Sequence, residues 1–253
     1  MRSFMAALVL TLASASLATP AAIRGVDPRV YLKARKPVPA AIADLKAAPV
    51  ELSRRIISDG PDGFLVGDDA YPAALAAEPR SALRALERRA LVIGALHALA
   101  LRKPVDAHDL IASQLAARDP LVRADAADQL GQLGQLGQLD NVDSIVTLLA
   151  RVAREDQDVR VREAACVGLA KARSQASLLA LASFVLDDSD ELRQRAAIRA
   201  LAVLGSRWAW QARGDVAGGA AIRQEARALL AKVEVVSKSE TAQAVAAVER
   251  QLR

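Results

Sequence analysis

One arginine-centred pattern recurs five times along this chain and constrains its fold more than any other feature. The arginines are Arg89, Arg123, Arg162, Arg193 and Arg223, separated by 34, 39, 31 and 30 residues. In the last four copies an apolar residue precedes the arginine, and alanine stands three residues after it. Self-similarity at this period is typical of solenoids, in which each helical pair buries its apolar face against its neighbours.

The composition favours helices over sheets. Hydrophobic residues make up 53% of the chain but aromatic residues only 3%, so the apolar content is mostly Ala, Leu and Val. β-Sheets prefer β-branched and aromatic residues, whereas Ala and Leu suit closely approaching helices. We therefore predict an all-α fold, an α-solenoid of about five helical pairs preceded by an irregular Pro-rich N-terminal segment.

The solenoid is predicted to occupy residues 79–253, because helical spacing of apolar residues begins there. Turn dipeptides and capping residues divide this range into pairs. The first helices are predicted at 79–101, from 120 through Arg123, at 158–171, from 192 to 204 and at 221–234. The second helices are predicted at 106–118, 142–154, 175–186, 208–213 and 240–252.

A Gln-Leu-Gly repeat runs through residues 129–139 and falls in the longest interval between arginines. A triplet does not match the 3.6-residue helical period, so its leucines rotate around a helix. Each glycine costs about 1 kcal/mol relative to alanine inside a helix. We interpret the tract as a triplet expansion that lengthens one loop between helices.

The segment Asp-Pro-x-Val-Arg-x-x-Ala-Ala-x-x-Leu-Gly at residues 119–131 resembles the HEAT repeat. It is most similar to the short bacterial form known from phycobilisome-linker lyases. The resemblance implies that Asp119 and Asp158 cap or turn into the first helix of a pair. It also implies that the arginines, such as Arg123 and Arg162, hydrogen-bond to neighbouring repeats as a structural ladder. The family consists mostly of scaffolds, so it implies a fold more than a function.

The N-terminal residues 1–18 are typical of a secretory signal peptide. Arg2 supplies the positive charge, Phe4–Ala13 the apolar region, and Ser16 and Ala18 the small residues before a cleavage site. The alternative is an uncleaved anchor, although the apolar stretch is shorter than the roughly 20 residues that span a bilayer. We expect an exported protein, periplasmic or extracellular, without a transmembrane segment after cleavage.

Residues 19–78 are predicted to be a Pro-rich, basic and loosely ordered lead-in. Within them, residues 19–60 contain 8 basic and 4 acidic side chains, whereas residues 61–253 contain 25 of each. A nucleic-acid-binding array would carry a basic stripe along its repeats, so we expect no nucleic acid. The basic segment 19–60 suits contact with an anionic surface.

The sequence offers no recognisable catalytic, cofactor or metal site. The two histidines, His97 and His108, are not at metal-ligand spacing, and a single cysteine, Cys166, cannot complete a zinc site. We interpret the acidic run at 187–191 as helix N-terminal residues that favour the macrodipole, with a divalent-ion site as the alternative. We therefore expect neither an enzyme nor a cofactor.

The leading hypothesis is a scaffold that binds a protein or peptide partner on a concave face. In the HEAT family the second helix of each pair lines that face. The candidate partner-binding residues on these helices are Gln114, Thr147, Arg151, Arg154, Trp208 and Trp210. The alternatives are a lyase-like accessory of a cofactor-bearing partner and an envelope-surface module tethered by residues 19–60.

Overall fold

A computed structural model describes residues 46, 48–65, 80–135, 142–187, 189–233 and 239–253. The predicted signal peptide and most of the lead-in lie outside the described residues. The chain divides into two compact units, Met1–Leu110 (unit 1) and Ile111–Arg253 (unit 2). The described residues form helices and connecting turns, and the fold is all-α as predicted.

Unit 1 contains helix α1 (Val50–Ser58), a 3-10 turn at Asp62–Phe64 and helix α2 (Arg80–Arg102). Helix α1 packs against α2 and buries Ile56 and Ile57. Within the predicted lead-in, residues 50–58 are therefore a packed helix, while the character of its remaining residues stays a prediction. Pro49 stands at the N-cap of α1, a position where proline does not interrupt a helix.

Unit 2 consists of helices joined by short loops. Helix α3 (Ala107–Ser113) begins before the unit boundary and is followed by a 3-10 turn at Gln114–Ala116. The remaining helices are α4 (Pro120–Gln135), α5 (Val142–Glu155), α6 (Val159–Ala172), α7 (Gln175–Val185), α8 (Glu191–Leu204), α9 (Arg207–Arg213), α10 (Val216–Leu230) and α11 (Glu240–Leu252). Most of these bounds agree closely with the predicted ones, but α3 ends at Ser113 instead of 118, and α10 spans 216–230 instead of 221–234.

Helices α4, α6 and α8 stack as a first layer, and α5 and α7 form a second layer against them. Small residues let the first-layer helices approach closely. Ala126, Ala127, Ala165 and Ala197 are all completely buried. The first helix of each pair therefore contributes alanine to the core, as the repeated pattern predicts.

The Gln-Leu-Gly tract is packed helix as far as Gln135, which corrects its interpretation as a loop. Leu130 and Leu133 are buried in α4. A Cβ atom on Gly131 would lie 2.4 Å from both the Cα and the carbonyl oxygen of Gly168 in α6. Glycine is required here because two helix backbones come into contact, not because the chain turns. The tract from residue 136 onward lies outside the described residues.

The last two helices exchange layers relative to the predicted fifth pair. Helix α11 packs on α8, where Thr241 Oγ1 donates to Glu191 Oε1 at 3.3 Å. Helix α10 instead packs on α7, where Gln175 Nε2 donates to Glu225 Oε2 at 2.9 Å. The prediction of α10 as a first-layer helix is thus wrong. With only seven residues, α9 is too short to cover α7, and α10 packs there instead.

The early start of α10 follows from Asp215. Its carboxylate caps the helix by accepting a hydrogen bond from the Gly218 backbone N–H at 2.9 Å. Gly218 and Gly219, whose sequence suggests a loop, therefore lie in the first turn. In the described part of the chain, no helix combines the length and apolarity needed to cross a membrane.

Candidate functional site

The arginine of the second copy ties one repeat to the next. Arg123 Nε and Nη2 donate to the two carboxylate oxygens of Asp156 at 2.7 and 2.9 Å. Arg123 Nη1 also donates to the carbonyl oxygen of Ala117 at 2.9 Å. The hydrogen bond from Arg123 lowers the pKa of Asp156. This bidentate, partly buried ion pair is one of the stronger interactions that a guanidinium and a carboxylate can form.

The next two arginines have comparable settings in the loops between pairs. Arg162 Nη1 donates to the carbonyl oxygen of Asp156 at 2.9 Å, and its Nη2 lies 3.6 Å from Asp190. Arg193 Nη2 donates to Asp187 at 2.5 Å, and its guanidinium lies 5.4 Å from the ring centre of Phe184. Each of these arginines therefore meets a carboxylate from an inter-helix loop.

The first and fifth arginines lie in different surroundings. Arg89 is partly buried on α2 in unit 1. Arg223 lies on α10, outside the first layer, and its Nη1 reaches the carbonyl oxygen of Gly205 at 3.5 Å. Burial, with repulsion from Arg207 and Arg227, lowers the pKa of Arg223. A ladder role for Arg223 is thus not supported, because its helix occupies the other layer.

Asp119 and Asp158 act on helix starts rather than on the arginines that follow them. Asp119 Oδ1 accepts from the Leu121 N–H at 2.9 Å, and Asp158 Oδ1 accepts from the Arg160 N–H at 2.9 Å. Hydrogen bonding from Arg160 lowers the pKa of Asp158 to about 2. Sequence reasoning missed Asp156 as the partner of Arg123, since only the Arg-to-Asp distance across a whole repeat could have indicated it.

The candidate binding residues Gln114, Thr147, Arg151 and Arg154 have different surroundings. Gln114 is partly buried in the 3-10 turn, and Thr147 is exposed with its hydroxyl donating to the Asp143 carbonyl at 2.8 Å. Arg151 lines a groove of about 300 Å³ beside Glu155. Arg154 lies 5.4 Å from the Phe184 ring centre.

The two tryptophans have opposite environments. Trp210 is 4% exposed, and its Nε1 donates to the carbonyl oxygen of Leu204 at 2.5 Å. A Cβ atom on Gly219 would lie 2.5 Å from Trp210 Cγ, so that glycine makes room for the ring. Trp210 is therefore a core residue, and its proposed role as a surface anchor is corrected. Trp208 is 77% exposed.

Trp208 lies at a groove of about 540 Å³ in unit 2, which we call the Trp208 groove. Helices α8, α9 and α11 and the residue that ends α6 line it. Its apolar lining comes from Ala202, Val203, Trp208, Ala209, Ala244, Ala247 and Val248. Arg173 and Arg199 are its charged residues. A mostly apolar groove with few polar groups is typical of a ligand site.

Arg173 was not identified from the sequence. It ends α6 in the left-handed conformation, with φ of 48° and ψ of 56°. Its side chain is buried, at 8% exposure, and its Nη1 donates to the Ala209 carbonyl oxygen at 3.0 Å. Its own carbonyl oxygen accepts from Arg213 Nη1 at 3.1 Å. Burial and the nearby charge of Arg213 lower the pKa of Arg173.

The remaining chemistry-bearing residues take structural or surface positions. Cys166 is completely buried, and burial raises the pKa of its thiol to about 12. His108 Nδ1 lies 2.8 Å from Asp109 Oδ1. Among the described residues, no group of three or more His, Cys, Asp or Glu side chains is placed to hold a metal ion.

Residues 134–202 match the family model of HEAT repeats. The matched range includes most of the α5–α8 region, in which the two layers are regular. No curated protein matches this chain. The narrower similarity to phycobilisome-lyase-type repeats stays a prediction.

Among solved structures, the chain is similar to the crystal structure of an engineered protein from a structural genomics consortium. The identity is 21%, the match covers 84% of this chain and 88% of that one, and the TM-score is 0.38.

Proposed function

Because this chain is an all-α protein built with HEAT repeats, which generally mediate protein interactions, we propose that it is a non-enzymatic scaffold for a protein or peptide partner. The observation that carries the proposal is Trp208, which is 77% exposed beside the Trp208 groove. An exposed tryptophan costs solubility, and tryptophan is among the residues most enriched at energetic centres of interfaces.

The groove's composition supports binding rather than catalysis. Its lining combines alanine and valine side chains with Trp208 and two arginines. Aromatic and arginine side chains dominate binding energy in protein interfaces, while small apolar residues shape the surface around them. The Arg151 groove is smaller and includes Glu155 and Asp156, of which Asp156 already pairs with Arg123. We therefore assign the partner to the Trp208 groove.

A capture experiment with the full chain tests this assignment. Wild-type protein and Trp208→Ala are each used to recover partners from the envelope fraction of the source cells. Leu179→Ala is the matched control, because Leu179 is also an exposed apolar residue of unit 2, at 64% exposure, but does not line the groove. We expect one partner to be retained by wild type and Leu179→Ala and lost by Trp208→Ala.

A second arm uses Arg151→Ala, which removes the charge of the smaller groove. Equal recovery of the same partner by all four proteins contradicts the assignment to the Trp208 groove. If the partner is lost with Arg151→Ala but retained with Trp208→Ala, the binding site is the smaller groove at Arg151.

We also propose that the scaffold is exported. The supporting features are Arg2, the apolar residues after it and the small residues Ser16 and Ala18. Mass spectrometry of the full-length gene product, recovered from cells, is expected to show a chain that lacks residues 1–18. An intact N-terminus on the recovered protein contradicts this proposal.

A further inference from the structure

Arg173 occupies a backbone position that disfavours it. Its φ of 48° lies in the left-handed region, where glycine is the usual residue after a helix. An arginine here carries a steric cost that glycine would avoid. Residues held in strained backbone conformations are found preferentially at ligand sites and other functional sites.

The guanidinium of Arg173 is also incompletely partnered. Nη1 has the Ala209 carbonyl, but Nε is buried without a hydrogen-bond acceptor in the described part of the chain. Arg162 and Arg193 also have an unpaired Nε, yet each lies near a carboxylate. No carboxylate of the described residues forms an ion pair with Arg173. A buried cation without a counter-charge is costly unless something else supplies the charge.

The charged residues around Arg173 indicate the sign of the charge that a ligand of this groove would carry. Arg199 lines the same groove at an exposed position, where its Nη1 lies 3.8 Å from Glu163 Oε1, and Arg213 approaches closely enough to donate to the Arg173 carbonyl. None of the described lining residues is acidic. The neighbouring charges of Arg173 and Arg213 therefore favour an anion and disfavour a basic segment.

The apolar part of the groove defines the rest of the ligand. Trp208 presents its ring to solvent, while Ala202, Val203 and Ala247 are partly exposed in the lining. A free inorganic anion would use the arginines and leave this apolar surface uncovered. A carboxylate that is carried next to an apolar side chain would use both.

We propose that the Trp208 groove recognises an acidic peptide segment, in which a carboxylate pairs with Arg173 and a neighbouring apolar side chain packs on Trp208. This inference rests on the proposed scaffold function and specifies the chemistry of its partner. Arg173 supplies charge recognition in a water-poor setting, where an ion pair is strong.

A random peptide library displayed on phage, selected on the full-length protein, tests the inference. We expect the peptides that bind wild type but not Trp208→Ala to be enriched in Asp or Glu beside Leu, Ile or Phe. For individual peptides, Arg173→Gln is expected to weaken binding about tenfold or more, because a charge-assisted hydrogen bond is lost. Replacing the peptide's Glu by Gln is expected to have a similar effect and to add little in the Arg173→Gln background.

Arg173→Gly is the second variant, because glycine accepts the left-handed backbone and removes only the side chain. We expect it to keep the helical circular dichroism and a thermal midpoint near that of wild type while losing peptide binding. Retention of full affinity by both Arg173 variants overturns the inference, as does selection of peptides without acidic enrichment.

The outcomes separate this inference from the proposed function. Peptides that depend on Trp208 but not on Arg173 leave the scaffold role in place and remove the acidic specificity. A selection that recovers no peptide dependent on Trp208 contradicts both.

Discussion

Two groups of arginines in unit 2, one towards each end, differ in their hydrogen-bond partners. Around α4 and α6, Arg123 is held by both oxygens of Asp156, and Arg162 lies near Asp190. Around α8, α9 and α11, Arg173 and Arg223 bond only to backbone carbonyls in the described residues. A paired arginine belongs to the fold, whereas an unpaired buried arginine is available to a ligand.

Backbone approach differs between the same two ends. Gly131 and Gly168 bring α4 and α6 into direct backbone contact. At the other end, Gly205 faces the side chain of Leu252, which lies 2.3 Å from the position of its missing Cβ. A flexible side chain can move where a backbone cannot, so the α4–α6 crossing is the more rigid of the two.

The largest effect is expected for Gly131→Ala. The added Cβ would overlap the Gly168 backbone at 2.4 Å. The resulting separation of the helices is expected to destabilise the protein by about 3 kcal/mol, the upper range for overpacking. Urea denaturation followed by circular dichroism measures the change.

Gly134→Ala is the matched control for that substitution. Its Cβ would lie 3.0 Å from the Ala172 Cβ and 3.4 Å from the Ala172 Cα, both longer than the 2.4 Å approach at Gly131. The helix-propensity gain of alanine, about 1 kcal/mol, offsets that contact. A loss at Gly134 as large as the one at Gly131 contradicts the crossing as the cause.

The next effect concerns the paired and unpaired arginines. Arg123→Ala removes the ion pair from the Asp156 carboxylate, which keeps only the hydrogen bond from the Asp158 N–H, and leaves the Ala117 carbonyl without its side-chain donor. We expect a loss of about 2 kcal/mol in the free energy of unfolding, the usual cost of orphaned partly buried partners. Arg223→Ala is the control, and it is expected to change stability by less than about 0.5 kcal/mol. Equal losses for both variants remove the distinction between the two ends.

The smallest effect on the free energy of unfolding near neutral pH is expected from two carboxylates around α4 and α6, Asp156 and Asp158. Folding lowers the pKa of Asp156 through Arg123 and that of Asp158 to about 2. Their contribution is therefore complete above the unfolded-state pKa, near 3.8, and is lost as the pH falls through the lower folded values. Each carboxylate contributes a slope of at most about 1.4 kcal/mol per pH unit.

Acid denaturation of wild type and Asp156→Asn measures this contribution. We expect wild-type stability to fall between about pH 4 and pH 2 more steeply than that of the variant. Parallel curves for the two proteins would mean that the Asp156–Arg123 pair does not titrate with folding.

The repeated pattern was sufficient to predict the regular helices. Asp119 and Asp158 mark starts that the structure places at caps, and the predicted second helix at 240–252 coincides with α11. These features depend on local capping and on helical spacing, which a sequence shows directly. The binding residues on second-layer helices stay a prediction, except that burial removes Trp210.

Three features could not be predicted from the sequence because they depend on contacts between residues that are far apart in the chain. Glycine has the same sequence signature in a loop as at a helix crossing, so Gly131 was misread. The layer of α10 depends on how far the short α9 extends over α7. Arg173 belongs to no motif, and only its burial and missing counter-charge distinguish it from other arginines.

The exchange of layers by α10 and α11 has a consequence for self-association. In a strictly repeating stack, the last repeat exposes the same apolar face that the interior repeats bury. Another molecule can bind to that face, and repeated addition would form a fibre. Here the terminal position on α8 is taken by α11, which exposes Gln243, Arg250 and Gln251. A polar surface of this kind disfavours addition of a second molecule on the α8 side of the described helices.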